Sequence, residues 1–262
     1  MYKPKYRISE SGAPILSRKE IEMHAERLVR DFQPGALFNA QPFDIGRFLE
    51  IYLELNLDFM YLSSTGIYMG MYIADETSRL PIYNPMTNRA EYTQVDTGTV
   101  IIDRRLIENS KMKHPLQFTM AHEGSHAIYH QKYVQMRRTH PLFRENHSEP
   151  VILCRTQSVT PKNDGSDPHS WTDDKRIEWQ ANASGSCLLM PRPAVRKLFE
   201  INGRTGGRCR QIIKTIRDLS RECVVSEEAA AYRLKDIGLV DRDELRSYLP
   251  GSPLMQYHDL DY

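Results

Sequence analysis

Apolar residues recur at helical spacing near the start of the chain. Ile21, Ala25, Leu28, Val29 and Phe32 share one face of a helix expected over residues 17–32. Ser17 is placed to cap it, with Glu20 three residues on. Asp44 can cap a second helix, whose apolar face carries Ile45, Phe48, Leu49 and Tyr52. The period then shortens to two. Ile67, Met69, Met71 and Ile73 alternate with Tyr68, Gly70 and Tyr72, which predicts a strand over 66–73. Shorter strands are expected at 58–62, 79–84 and 98–103. A helix is predicted over 115–131. Pro115 suits its first turn, where a missing N–H costs nothing, and Phe118, Ala121, Ser125 and Ile128 form a small-to-apolar stripe. Residues 132–172 are polar and turn-rich, and only Val151-Ile152-Leu153-Cys154 reads as a strand, so a long functional loop is expected there. Helices follow at 173–189, 191–200, 208–220 and 226–236, the last capped by Ser226 with Glu227 and Glu228 in its first turn.

Composition narrows the function classes. The 262 residues allow one large domain or two small ones. Lys and Arg total 35 against 34 Asp and Glu, so the whole molecule is not steered toward nucleic acid or an anionic membrane. The N-terminus lacks an apolar signal-peptide core, and no run of 18 apolar residues exists, so no membrane span is expected. Cys154, Cys187, Cys209 and Cys223 are scattered with no C-x-x-C pair. That argues against a disulfide framework or an all-cysteine zinc site, and fits a cytoplasmic location.

The candidate chemistry lies in the 115–131 helix. His122-Glu123-Gly124-Ser125-His126 reads H-E-x-x-H, for which this composition expects roughly 0.02 chance matches. On a helix the two imidazoles stand ~6 Å apart along the axis on one face, so two ring nitrogens can converge on one zinc at ~2.0–2.1 Å. Glu123, about 100° round the helix, flanks the ion and can reach a water bound to it. Gly124 costs the helix ~1 kcal/mol relative to Ala, which points to a packing or functional reason for it. A metzincin is excluded, because Tyr129 and Lys132 occupy the positions where its Gly and His would stand. His130 continues the same face but lies ~12 Å along the axis from His122, too far for both to bind one ion. It is expected to support a ligand, face the substrate, or sit as a half-buried surface histidine. The third ligand is open by spacing alone. Glu178, with Asn182 one turn later to orient a ligand by hydrogen bonding, competes with Asp173, Asp174, His147 and His169.

Three segments together resemble the ImmA/IrrE-type metallo-endopeptidases of bacteria and their mobile elements. They are Phe118-Thr119-Met120-Ala121-His122-Glu123-Gly124-Ser125-His126; Glu178-Trp179-Gln180-Ala181-Asn182, running on to Leu188-Leu189-Met190-Pro191; and Val225-Ser226-Glu227-Glu228-Ala229-Ala230-Ala231-Tyr232-Arg233-Leu234. The likeness covers about residues 17–240. It implies an α+β, thermolysin-like (gluzincin-type) minimal zinc peptidase fold, with a small mixed sheet packed on helices and a C-terminal helical segment. It further implies that His122, His126 and Glu178 bind Zn2+ and that Glu123 is the general base; Mn2+ or Fe2+ would also suit two histidines and a carboxylate. A second donor to the oxyanion is expected besides the ion, with Tyr129, His130, His147 and His169 as candidates. The implied substrate is a helix-turn-helix transcriptional repressor, cleaved to relieve repression. The sequence departs from the family pattern at Gly124-Ser125, at Ser184-Gly185, and in the length between the two metal-binding segments.

The expected organisation is a catalytic unit over 1–202 including the long loop 132–172, a helix-turn-helix-like segment over 203–240, and a tail over 241–262. That segment supplies the competing reading. Arg204, Arg208, Arg210, Lys214, Arg217 and Arg221 give it a basic face, so the chain could instead be a non-proteolytic metal- or DNA-binding regulatory module. A solvated helix surface explains the same charges, and direct nucleic-acid binding is not the expectation taken forward.

Overall fold

A computed structural model describes residues 1–75, 77–139, 151–155, 171–204 and 206–249. A short two-stranded ribbon, β1 (Arg7–Ile8) and β2 (Pro14–Ile15), leads into helix α1 (Arg18–Phe32). Ser17 caps α1: its side chain accepts from the Glu20 backbone N–H, and the Glu20 carboxylate accepts from that of Ser17. This reciprocal arrangement satisfies two amides that the helix itself cannot. Helix α2 (Pro34–Phe38) and the single turn α3 (Ile45–Arg47) follow, with Asp44 accepting from the Arg47 N–H. The second predicted helix then widens into a π-helical turn over Phe48–Tyr52, which buries Phe48 and Leu49.

Strands β3 (Asn56–Met60), β4 (Tyr68–Ile73), β5 (Thr77–Asn84), β6 (Arg89–Val95) and β7 (Thr99–Asp103) come next. After them run α4 (Arg105–Glu108), a 3-10 turn over Ser110–Met112, α5 (Lys113–Tyr129), α6 (Gln131–Thr139) and β8 (Val151–Arg155). The chain continues through α7 (Asp173–Leu189), α8 (Arg192–Asn202), α9 (Arg208–Cys223), α10 (Glu227–Asp236) and α11 (Arg242–Arg246). The architecture is α+β, with a small mixed sheet on helices. The sheet runs β3-β7-β4-β8; β3 and β7 are parallel, and β4 is antiparallel to both neighbours.

Four expectations are corrected. Strand β4 is buried on both faces rather than one. Tyr72 joins the main core, while Met71 and Ile73 pack with Leu62, Leu80, Val95 and Ile101 under the β5–β6 hairpin. A register shift between Tyr68 and Gly70 puts Met69 with Tyr72 instead of Met71, as a bulge does to side-chain alternation. Strand β6 was not expected. It is mostly exposed and polar, so it carries no apolar alternation and owes its form to pairing with β5. Third, residues 132–139 of the expected loop are helical as part of α6, with Tyr133 and Val134 buried. Fourth, the expected tail holds α11, capped by Asp241.

Helix α7 bridges the molecule. It packs against α5 on one side and α1 on the other. Gly185 is the point of closest approach to α5: a Cβ there would lie 3.3 Å from the His122 backbone nitrogen and 3.4 Å from the Ala121 carbonyl carbon. The C-terminal helices tie back through Arg233 on α10, which is fully buried. Its guanidinium clasps Glu22 of α1 with two N–H donors and donates through Nε to the Met190 carbonyl at 2.8 Å.

Candidate metal centre

Helix α5 presents His122, Glu123, His126 and His130 in succession, and none of the four is exposed. The Nε2 atoms of His122 and His126 lie 3.0 Å apart. Helix α7 brings Glu178 over them, its Oε2 3.5 Å from His122 Nε2 and its Oε1 3.4 Å from His126 Nε2. Among the described residues, these three form a group whose ligand atoms all lie within 4.8 Å of one another. A tetrahedral ion with bonds of ~2.0–2.1 Å requires neighbouring donors ~3.3–3.4 Å apart. The histidine edge of 3.0 Å is slightly short of that, and the two Glu178 oxygens each stand close to it from one ring, Oε2 from His122 and Oε1 from His126, so a small turn of the carboxylate would offer one oxygen to both. The two histidines are sealed and Glu178 is 30% exposed, so the group is open to solvent beside Glu178.

The surrounding hydrogen bonds orient the rings. His122 Nδ1 lies 2.9 Å from Asn182 Oδ1, which can only accept, so Nδ1–H donates and Nε2 keeps its lone pair. His126 Nδ1 lies 2.8 Å from His130 Nδ1, and His130 Nε2 lies 3.0 Å from Gln180 Oε1. Burial lowers the pKa of His126 well below the ordinary histidine value, with His122 and His130 adding to it. Burial likewise pushes His130 down to about 3. Both rings are therefore neutral near pH 7, the state in which His126 can offer a lone pair to a metal.

Glu123 is the other unusual group. Both carboxyl oxygens are buried with no hydrogen-bond partner among the described residues. Burial, supplemented by the nearby Glu178 and opposed by His122, pushes its pKa up to about 8. Its place is cut into β4. A Cβ at Gly70 would fall 2.6 Å from the Thr119 Cγ2, 3.0 Å from the Glu123 Cγ and 3.1 Å from its Oε1. Gly70 and Gln180 were not singled out by sequence. A lone glycine inside a strand is a signal of close approach, and Gln180 sits between Glu178 and Asn182 in one motif. Gly124 has a packing reason: a Cβ there would meet the Leu49 Cδ2 at 2.5 Å.

The other candidates lie elsewhere. Asp173 pairs with Arg176 at 2.9 Å and accepts from Ser11, and Asp174 accepts from Tyr133 at 2.9 Å. Tyr129 is buried, and its ring neighbours are Tyr6, His24 and His130. His130 is buried as well, not half-exposed. His147 and His169 fall outside the described residues.

The fit to a divalent cation is good on the donor set itself: two imidazoles and one carboxylate converge, with a carboxyl alongside that has no partner among the described residues. Residues 153–235 match the family described as Peptidase_M78, IrrE N-terminal-like domain. The match takes in Glu178, Gln180, Asn182 and the α10 motif, and begins after the His122–His126 segment. No curated protein matches the chain.

Proposed function

We propose, for a chain that this match supports as a member of the ImmA/IrrE-type metallopeptidase family, that it is a zinc-dependent endopeptidase with a thermolysin-like catalytic unit. The observation that carries the reading is the convergence of His122, His126 and Glu178 beside an unpartnered Glu123. His122, His126 and Glu178 would hold the ion. Zinc held there supplies a Lewis acid that polarises the scissile carbonyl and makes water acidic enough to ionise near pH 7. Glu123 takes the proton from the attacking water as its oxygen bonds to the peptide carbon. It then gives that proton to the amine as the C–N bond breaks. Burial holds the Glu123 carboxyl above the ordinary carboxylate range, and a cation held by His122, His126 and Glu178 would draw it back toward the ionised form that a base needs.

The proposed substrate is a helix-turn-helix repressor encoded alongside, presenting an extended segment to the site, and the proposed location is the cytoplasm. Among the described residues no helix is long and apolar enough to cross a membrane. The DNA-binding alternative finds less support. Arg208 is engaged by Glu244 and the Leu239 carbonyl, Lys214 and Arg221 by Asp218, and Arg233 by the core. The first turn of α10 carries Glu227 and Glu228, the wrong sign for facing phosphates. The test is co-expression with the neighbouring repressor and mass analysis of the fragments. Glu123→Gln is expected to bind zinc as the parent does and to lose cleavage by about 10²–10⁴-fold. Cleavage at the parental rate would refute the mechanism.

A further inference from the structure

Gln180 is fully buried, and its two amide atoms face different partners. Nε2 donates to the Pro14 carbonyl of β2 at 2.9 Å, and Oε1 lies 3.0 Å from His130 Nε2. A carbonyl oxygen can only accept, so the Pro14 contact fixes which way the amide points. Oε1 therefore has to accept, and His130 Nε2–H has to donate. A neutral His130 then has a bare Nδ1, 2.8 Å from His126 Nδ1, which must donate in turn. The end of this chain is a bare His126 Nε2, 3.4 Å from Glu178 Oε1. His122 reaches the same state by one step, through Asn182. Two lone pairs 3.0 Å apart repel unless a cation lies between them.

We propose that Gln180, anchored by the Pro14 carbonyl, is a positioning residue that acts through His130 to hold the His126 proton on Nδ1 and leave Nε2 free to bind metal. The proposal rests on the metal-site reading above and deepens it. It makes the N-terminal ribbon, far from the histidines in sequence, part of what prepares the site. An apolar residue at 180 would free His130 to carry its proton on either nitrogen. With the proton on Nδ1 of His130, His126 Nδ1 must accept, its own proton moves to Nε2, and that nitrogen is lost as a donor. Groups that orient a metal-bound histidine in this way typically change metal affinity about 10–100-fold.

Two measurements on the full chain test it. The first is ¹⁵N imidazole NMR of the metal-free parent protein at neutral pH. His130, which Gln180 faces directly, is expected to carry its proton on Nε2; a His130 proton on Nδ1 overturns the proposal. The second is zinc affinity by chelator competition for Gln180→Met and Gln180→Glu, with folding checked by circular dichroism. Gln180→Met keeps the volume and removes the acceptor, and is expected to bind zinc about 10–100-fold more weakly. Gln180→Glu, protonated in this buried place, keeps an acceptor toward His130 and a donor toward the Pro14 carbonyl, and is expected to recover most of that loss. Parental affinity in Gln180→Met, or an equal loss in both variants, overturns it. A parent protein that binds no zinc refutes the metal-site reading instead, and the tautomers of the metal-free protein still decide the relay.

Discussion

Replacing Arg233 should be among the most damaging single changes outside the metal centre. Arg233 is fully buried, and Glu22, its partner across 211 positions of sequence, is 7% exposed. Truncation to Leu leaves the Glu22 carboxylate in the core with only the Cys187 thiol beside it and strips the Met190 carbonyl of its donor. Breaking a buried pair from one side costs about 3–5 kcal/mol. With a urea slope of ~3 kcal/mol/M, the upper end for small proteins, the unfolding midpoint of Arg233→Leu should fall by about 1–1.7 M. Trp171 and Trp179 fluorescence reports the transition. Replacing both partners by apolar residues, Glu22→Leu with Arg233→Met, should recover most of the loss, because no charge is then stranded. A shift below about 1 kcal/mol in Arg233→Leu, or a double variant no more stable than the single one, would refute the argument. The pH dependence gives a second reading of the same pair. Burial alone would raise the Glu22 pKa, but the hydrogen bonds and charge of Arg233 outweigh it and hold the carboxyl below its ordinary value. Its contribution is therefore complete above the unfolded-state pKa of ~4.3 and is lost as pH falls through the lower folded value. That acid-side loss should be absent from the double apolar variant.

Gly70→Ala is expected to push the Thr119 methyl and displace the Glu123 side chain. Cleavage should drop by up to ~10²-fold while zinc affinity, measured by chelator competition, stays parental, since a 1 Å misplacement of a catalytic group can cost that much; weakened zinc binding would contradict this. Gly124→Leu should destabilise by about 1–3 kcal/mol by colliding with Leu49. Leu49→Ala in the same chain should relieve part of that cost in thermal melts, and no relief would mean the packing account is wrong.

Much of this architecture is legible locally. Ser17 and Glu20 announce the start of α1, and α7 follows its apolar pattern over Asp173–Leu189, because caps and periodicity are short-range. The two histidines could be picked out by type and spacing, Glu178 stood out from its competitors only through the family resemblance, and the structure brings the three together. What could not be read depends on distant partners. β6 has no apolar face of its own and forms on β5. Gly70 reads as a weak strand residue until Glu123 lies over it. Gln180 looks like any helix-surface amide until Pro14 and His130, 166 and 50 positions away, claim its two ends. The π turn at Phe48–Tyr52 likewise keeps the predicted apolar residues and changes their pitch.

The clasp between α1 and α10 also orders events during synthesis. Glu22 leaves the ribosome long before Arg233, so the first helix waits with an uncompensated charge on the side that must meet α7. α7 also carries Glu178, so the place of that carboxylate beside His122 and His126 depends on the same late contact. The seat of Glu178 is thus complete only once α10 has been made and Arg233 has reached Glu22.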